Sequence, residues 1–204
     1  MFVTLEGIDR SGKTTQAAML ADALGPETVL LREPGGTPLG ERVREMLMDP
    51  GLELGAGAEL LLFGAARAAL AEQVIGPAAE DGRDVVCDRF IDSTVAYQGV
   101  ARDLGVELVE QLNAAVIGPC VPDLTLLLRI DPADAEARGQ QRIAAGEVDG
   151  SDRFEAEGIE FQRTVAGAYD DLAERHPERI VVIDAAGAPG DVHELVMGEV
   201  RRRR

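Results

Sequence analysis

Residues Gly7-Ile8-Asp9-Arg10-Ser11-Gly12-Lys13-Thr14 fit the pattern G-x-x-x-x-G-K-[ST] in full. The flanks give the pattern its meaning. Phe2-Val3-Thr4-Leu5 before it is an apolar, β-prone run. After it, Ala17, Leu20, Ala21 and Leu24 recur at i, i+3, i+4 and i+7, one face of a helix. A strand, a glycine loop and a helix in that order wrap a phosphate. Gly7 and Gly12 permit backbone angles that a β-carbon resists, and the helix N-terminus adds partial positive charge. Lys13 then reaches the β- and γ-phosphates, and the Thr14 hydroxyl holds Mg²⁺. Lys13 is the only lysine among twenty basic residues. A chain so biased to arginine keeps a compact ammonium at this one position.

The remaining chain repeats the same alternation. Apolar runs at 28–31, 84–89, 123–130 and 180–184 read as further strands. Helical stretches are expected at 38–47, 59–71, 106–117, after Asp131-Pro132, at 155–175 and at 192–200. This predicts an α/β chain with the P-loop NTPase fold: a five-stranded parallel sheet, helices on both faces, in a single domain over residues 1–204. The segment 143–153 is glycine-containing, poor in apolar residues and flanked by arginines, and reads as a short lid.

Charge and cysteine content narrow the function. A net charge of −17 argues against non-specific binding to nucleic acid or to an anionic membrane. Arg201 to Arg204 form a local exception, read as a solvated helix end. The phosphate site must be a basic island in an acidic surface. Cys87 lies inside an apolar strand and reads as a buried thiol; no Cys/His cluster has zinc-ligand spacing. No apolar run reaches membrane-spanning length, and the N-terminus lacks the basic segment and apolar core of a leader, so the expected location is cytoplasmic.

Open α/β sheets place ligands at the carboxyl ends of their strands. Arg32 sits at one such end. At another, Asp88 is an acid positioned to support Mg²⁺, and Arg89 faces the transferred group. Phe63 and Arg67, four apart, share a helix face. A ring and a guanidinium there could hold a flat base, although spacing alone favours Phe63 in the core with Arg67 reaching its rim. Thr94, Tyr97 and Gln98 belong to a polar run suited to nucleoside contacts. Arg138 and Arg142 lie on one face of the helix that precedes the lid. So many ligand-side arginines fit two anionic substrates, and the guanine-reading N-K-x-D motif is absent, so a small-molecule kinase fits better than a GTPase. A non-catalytic nucleotide-binding regulator and a nucleic-acid-associated ATPase are the rival classes.

The chain resembles the thymidylate kinase family over nearly its whole length. The resemblance rests on E-G-I-D-R-S-G-K-T-T-Q at the P-loop, R-E-P-G-G-T at 32–37, L-F-G-A-A-R at 62–67, D-R-F-I-D-S-T-V-A-Y-Q-G at 88–99, P-D-L-T-L at 122–126 and D-R-F-E at 152–155. It implies ATP- and Mg²⁺-dependent phosphorylation of dTMP to dTDP by a homodimer. It implies that residues 7–14 and Arg142 bind ATP, and that Thr14 and Asp88 support the metal. Lys13, Arg10, Arg89 and Arg153 are then catalytic. Asp9, Arg32 and Arg89 surround the dTMP phosphate. Phe63 stacks on thymine, Arg67 bonds its carbonyl edge, Thr94 and Gln98 lie near the base, and Tyr97 lies under the sugar, favouring deoxyribose. Residues 184–186 lie near adenine. The family keeps its catalytic arginine either in the P-loop or in the lid. Here Arg10 is in the P-loop and 143–152 contain none, so Arg10 is the expected in-cis arginine.

Overall fold

The computed structural model describes residues 1–146, 153–154 and 157–204, without the side chain of Arg142. Strands β1 (Phe2–Glu6), β2 (Val29–Arg32), β3 (Val85–Asp88), β4 (Leu124–Arg129) and β5 (Ile180–Asp184) pair in the order β2-β3-β1-β4-β5, all parallel. Every residue of β1 and β3 is buried, as are residues 124–128 of β4. Successive side chains of a strand point to opposite faces. Complete burial of the central strands therefore means that both faces are covered, which is why these strands read as largely apolar runs. The edge strands show the converse: Leu30 and Asp184 are exposed.

Helix α1 (Lys13–Leu24) packs on β1, β2 and β3 and against α9 (Pro189–Arg203). Helix α2 (Pro38–Met48) packs on α3 (Ala56–Leu70), which lies beside α6 (Val106–Ile117). A π-helical turn, Ala71–Ile75, joins α3 to the short α4 (Gly76–Glu80). Helix α7 (Pro132–Ala144) leads toward the lid, and α8 (Ile159–Arg175) packs on α7, β4 and β5. Two helix starts follow from local chemistry. Thr37 Oγ1 accepts from Gly40 N at 2.9 Å with Pro38 next in line. Asp131 Oδ1 accepts from Ala133 N at 2.8 Å with Pro132 at the first turn. The core runs through Val3, Leu5, Leu20, Val86, Leu126 and Val165, all fully buried; truncating any such leucine to alanine costs about 2–5 kcal/mol.

The polar run at 93–99 proves helical. Helix α5 (Ile91–Thr94) continues into a π-helical segment, Val95–Ala101. Thr94, Val95 and Gly99 are weak helix formers, but Val95 and Ala96 are buried and the segment is clasped between α8 and α6, so tertiary packing decides. Most of the predicted lid, residues 147–152, lies outside the described residues. Cys87 is buried and free, and burial pushes its thiol pKa well up, so the strand-core reading holds.

The sheet order sends the chain to opposite sides of β1 after β3, and the switch point opens at the carboxyl edge. Register brings Leu5 and Arg32 opposite Asp88. The residues that follow β1, β2, β3, β4 and β5 therefore meet along one rim.

Candidate active site

The loop after β1 forms the first half of the site. Gly7 has φ 140°, and a β-carbon there would lie 2.6 Å from the Leu128 carbonyl oxygen; only glycine lets β4 approach so closely. Lys13 is buried at the start of α1. Its Nζ donates to the Ile8 carbonyl at 2.6 Å and to Ser11 Oγ at 3.3 Å. Burial, and then the nearby Arg89 cation, push its pKa down to about 8. Asp88, Asp9 and Glu6 oppose that shift, and further negative charge brought beside the ammonium favours its protonated form. Thr14 Oγ1 donates to Asp88 Oδ2 at 2.6 Å, while Asp88 Oδ1 is buried with no hydrogen-bond partner among the described residues. A hydroxyl and an orphaned carboxylate oxygen side by side suit Mg²⁺, which binds one or two carboxylates and otherwise waters and phosphates. Among the described residues no group of three acidic, His or Cys side chains builds an all-protein cage.

Asp9 and Arg89 join this half to the next. Arg89 Nη2 is ion-paired with Asp9 Oδ1, and Asp9 Oδ2 accepts from Gln162 Nε2 at 2.8 Å. Burial opposes ionisation of Asp9, but Arg89 and then Lys13 outweigh it and hold the carboxyl below its usual value. Arg89 also donates to the Gly7 carbonyl at 3.1 Å and to Ser93 Oγ at 3.2 Å. Its backbone is left-handed, φ 72°. Glu6 fixes that bend from beneath: it accepts from Phe90 N at 2.7 Å, Ser93 Oγ at 2.6 Å and Tyr169 OH at 2.8 Å. Burial, then the Asp92 charge, raise its pKa to about 7.

The second half is a pocket that opens to solvent and shares Asp9 and Arg89 with the phosphate cleft. Phe63, Tyr97 and Phe154 supply its aromatic walls. Arg67 forms the floor. Its Nε and Nη2 donate to Glu33 at 2.9 and 2.5 Å, Nη1 to Thr94 Oγ1 at 2.8 Å and Asn113 Oδ1 at 2.7 Å, and Nη2 also to the Phe90 carbonyl at 2.9 Å. All five N–H groups are engaged. The burial expected from spacing is inverted. Arg67 is 1% exposed, whereas Phe63 is half-buried and faces the pocket. Compensation by a buried carboxylate, which helix spacing does not report, makes this possible. Burial raises the Glu33 pKa, with the Arg67 charge opposing.

Tyr97 lies with its ring 5.1 Å from the Arg89 guanidinium and its hydroxyl 3.3 Å from Nη2. Burial raises its pKa. Gln98 Nε2 donates to Glu59 Oε1 at 2.7 Å. Arg153 lies beside the aromatic pocket that Phe154 lines. It pairs with Glu59 at 2.6 Å, donates to the Leu47 carbonyl at 3.1 Å and covers the Phe154 ring. Arg32 pairs with Glu41 at 2.8 Å on the cleft rim. Arg138 donates to the carbonyls of Ala185 and Ala186 at 2.8 and 2.6 Å, tying α7 to the loop after β5. Arg10 lines the phosphate cleft with a left-handed backbone, φ 63°. Sequence reading did not single out Glu6, Glu33, Glu59, Asn113, Gln162 and Tyr169. Gln162 and Tyr169, seven apart on α8, carried one available signal, since polar residues at that spacing share a face.

Comparison with known proteins gives a single answer. A family model described as thymidylate kinase matches residues 5–196. The thymidylate kinase of Desulfosudis oleivorans is 44% identical, over 99% of this chain and 97% of its own length. That of Deinococcus radiodurans is 42% identical, over 100% and 97%. The crystal structure of thymidylate kinase from Ehrlichia chaffeensis matches with a TM-score of 0.79 at 35% identity, over 98% of both chains.

Proposed function

The chain belongs to the thymidylate kinase family, whose reaction is the ATP- and Mg²⁺-dependent conversion of dTMP to dTDP, and we propose how its side chains divide that work. The observation that carries the proposal is the wall common to both cavities. Asp9 and Arg89 line the phosphate cleft on one side and the aromatic pocket on the other. A donor site and an acceptor site that share a charged wall suit direct transfer between two bound anions.

Mg·ATP supplies the phosphoryl group and a divalent charge across its phosphates. Gly7, Ile8, Asp9, Arg10, Ser11, Gly12, Lys13 and Thr14 cradle those phosphates. Thr14 and Asp88 hold the metal, and the orphaned Asp88 oxygen supports that role. Arg89, fixed by Asp9 and Glu6, holds the dTMP phosphate, with Arg32 at the rim. Phe63 stacks on the base. Arg67 positions Thr94 beneath it and shares a donor with the carbonyl edge. Gln98 borders the base, and Tyr97 crowds a 2′-hydroxyl. The phosphate oxygen of dTMP is already a nucleophile at neutral pH, so the residues align and neutralise rather than transfer protons. Arg10 neutralises charge on the group in transfer. Arg142 binds ATP, and the closed lid excludes water. Arg153, paired with Glu59 in this structure, acts with the lid on ATP.

The same proposal has one domain, a homodimer and a cytoplasmic location. Exposed Leu61 and Leu108, on the neighbouring helices α3 and α6, support the dimer. Among the described residues no helix is long and apolar enough to cross a membrane. The test is ADP release with dTMP, dUMP, ribothymidine monophosphate, AMP and shikimate as separate acceptors. Strong turnover with dTMP, less with dUMP and little with the ribonucleotide is expected. Equal turnover of the ribo- and deoxyribonucleotides would remove the role given to Tyr97.

A further inference from the structure

Gly139 stands in the interior of α7, where glycine is the poorest helix former after proline. Its own backbone does not require glycine, because it is absent from the positive-φ residues. The reason lies across the gap. A β-carbon at Gly139 would overlap Cδ and Nε of Arg10 and come within 2.7 Å of its Cζ, and its three nearest atoms all belong to that one side chain. Arg10 reaches α7 because its backbone is left-handed, an uncommon state for a residue with a β-carbon. The same side chain borders the phosphate cleft that holds Lys13 and Asp88, and also the small cavity between the loop and α7. The neighbouring Arg138 fastens α7 to the loop after β5, so the seat itself is held in place.

We propose that Gly139 is a positioning residue: its missing side chain is the slot in which Arg10 lies against α7 and is held for phosphoryl transfer. The proposal rests on the role given to Arg10 above. No ligand contact is required of Gly139, which acts only through the arginine. A side chain there leaves the helix intact, because the atoms it displaces are the far part of a flexible side chain.

Gly139→Ala tests this, measured beside Arg10→Ala and the double variant. The single glycine variant is expected to lose ~10²-fold in kcat, the scale of a misplaced catalytic group, with KM for dTMP unchanged. Its melting temperature is expected to rise by about 1–3 °C, because alanine favours the helix. In the Arg10→Ala background the same substitution is expected to leave kcat where Arg10→Ala put it. Wild-type kcat in Gly139→Ala, or an equal further loss in the double variant, would overturn the inference. So would a melting temperature that falls in both backgrounds, which would make Gly139 a packing residue. Failure of the underlying reading looks different: Arg10→Ala would itself keep full kcat.

Discussion

The two halves of the site are built in opposite ways. On the acceptor side, Arg67 is saturated: every N–H meets Glu33, Thr94, Asn113 or the Phe90 carbonyl, and the pair with Glu33 is almost wholly buried. On the phosphate side, the groups are held less favourably. Lys13 is pushed toward neutrality, Asp88 Oδ1 has no partner among the described residues, and Arg10 holds an unfavourable backbone. A neutral base asks for a rigid, finished template, since its recognition depends on shape and a few fixed dipoles. A polyanion with its metal brings its own charges. The acceptor end is thus finished by folding and the phosphate end by substrate. Removing side chains should therefore cost stability at the first and activity at the second.

The largest expected effect sharpens that contrast. Arg10→Gly should lower kcat ~10³-fold, the lower end for an arginine acting on a phosphoryl group. It should also stabilise the fold by ~1 kcal/mol, because glycine accepts the left-handed backbone freely. Steady-state kinetics and urea melts on one preparation read both. A loss of stability with unchanged turnover would place Arg10 on the wrong side of the comparison.

Glu33→Ala is the matching break at the acceptor end. It leaves the Arg67 cation buried without its carboxylate, which costs about 3 kcal/mol or more of stability. The urea midpoint should fall accordingly before any kinetic defect is measured at low temperature. A midpoint within experimental error of the parent would mean that Asn113 and Thr94 alone satisfy the guanidinium.

Asp88→Asn is smaller. The carboxylate supplies charge to the metal rather than to the fold, so the Mg²⁺ concentration needed for half-maximal rate should rise about 10–100-fold. The unfolding free energy from urea melts should stay within about 0.5 kcal/mol of the parent. An unchanged Mg²⁺ requirement would free Asp88 from the metal.

How much of this was legible in the sequence divides along the same line. Residues 7–14 write the phosphate loop contiguously, because its geometry is local: two glycines, a lysine at the helix start, a strand before it. The buried strands were legible for the same kind of reason, since full coverage of both faces demands largely apolar runs such as residues 124–128. The acceptor floor was not. Arg67 finds Glu33 34 residues away and Asn113 46 away, and no periodicity links those positions. Spacing put Arg67 at a rim and Phe63 in a core, and the buried carboxylate inverted them. Arg153 meets Glu59 94 residues away, a partner that chain proximity does not report. The helix at residues 91–101 was hidden by weak local formers and made by packing. Local chemistry is readable from a chain; the identity of a distant partner is settled only by the fold.

The smallest expected effect is a fraction of a proton, and it probes the unfinished half directly. In the unfolded chain Lys13 titrates near its ordinary value of 10.5, and in the folded protein at about 8. Between those values the unfolded chain holds more protons, so this group's contribution makes stability rise with pH across that window. Triphosphate binding reverses the cause, since negative charge beside the ammonium restores its proton. At pH 8 Lys13 is about half protonated before binding and fully so after it, so binding should take up about 0.5 proton; at pH 6.5 the uptake should be close to zero. Calorimetry of ATP binding in two buffers of different ionisation enthalpy measures this directly. Lys13→Arg, which cannot titrate in this range, should abolish the uptake at pH 8. Uptake that persisted in that variant would move the proton to another group, with Glu6 at about 7 the first to examine. Glu6 differs in its pH profile: its uptake on binding would peak near pH 7 and fade by pH 8.5. The pH at which uptake is largest therefore tells whether the titrating group is Lys13 or lies beneath Arg89.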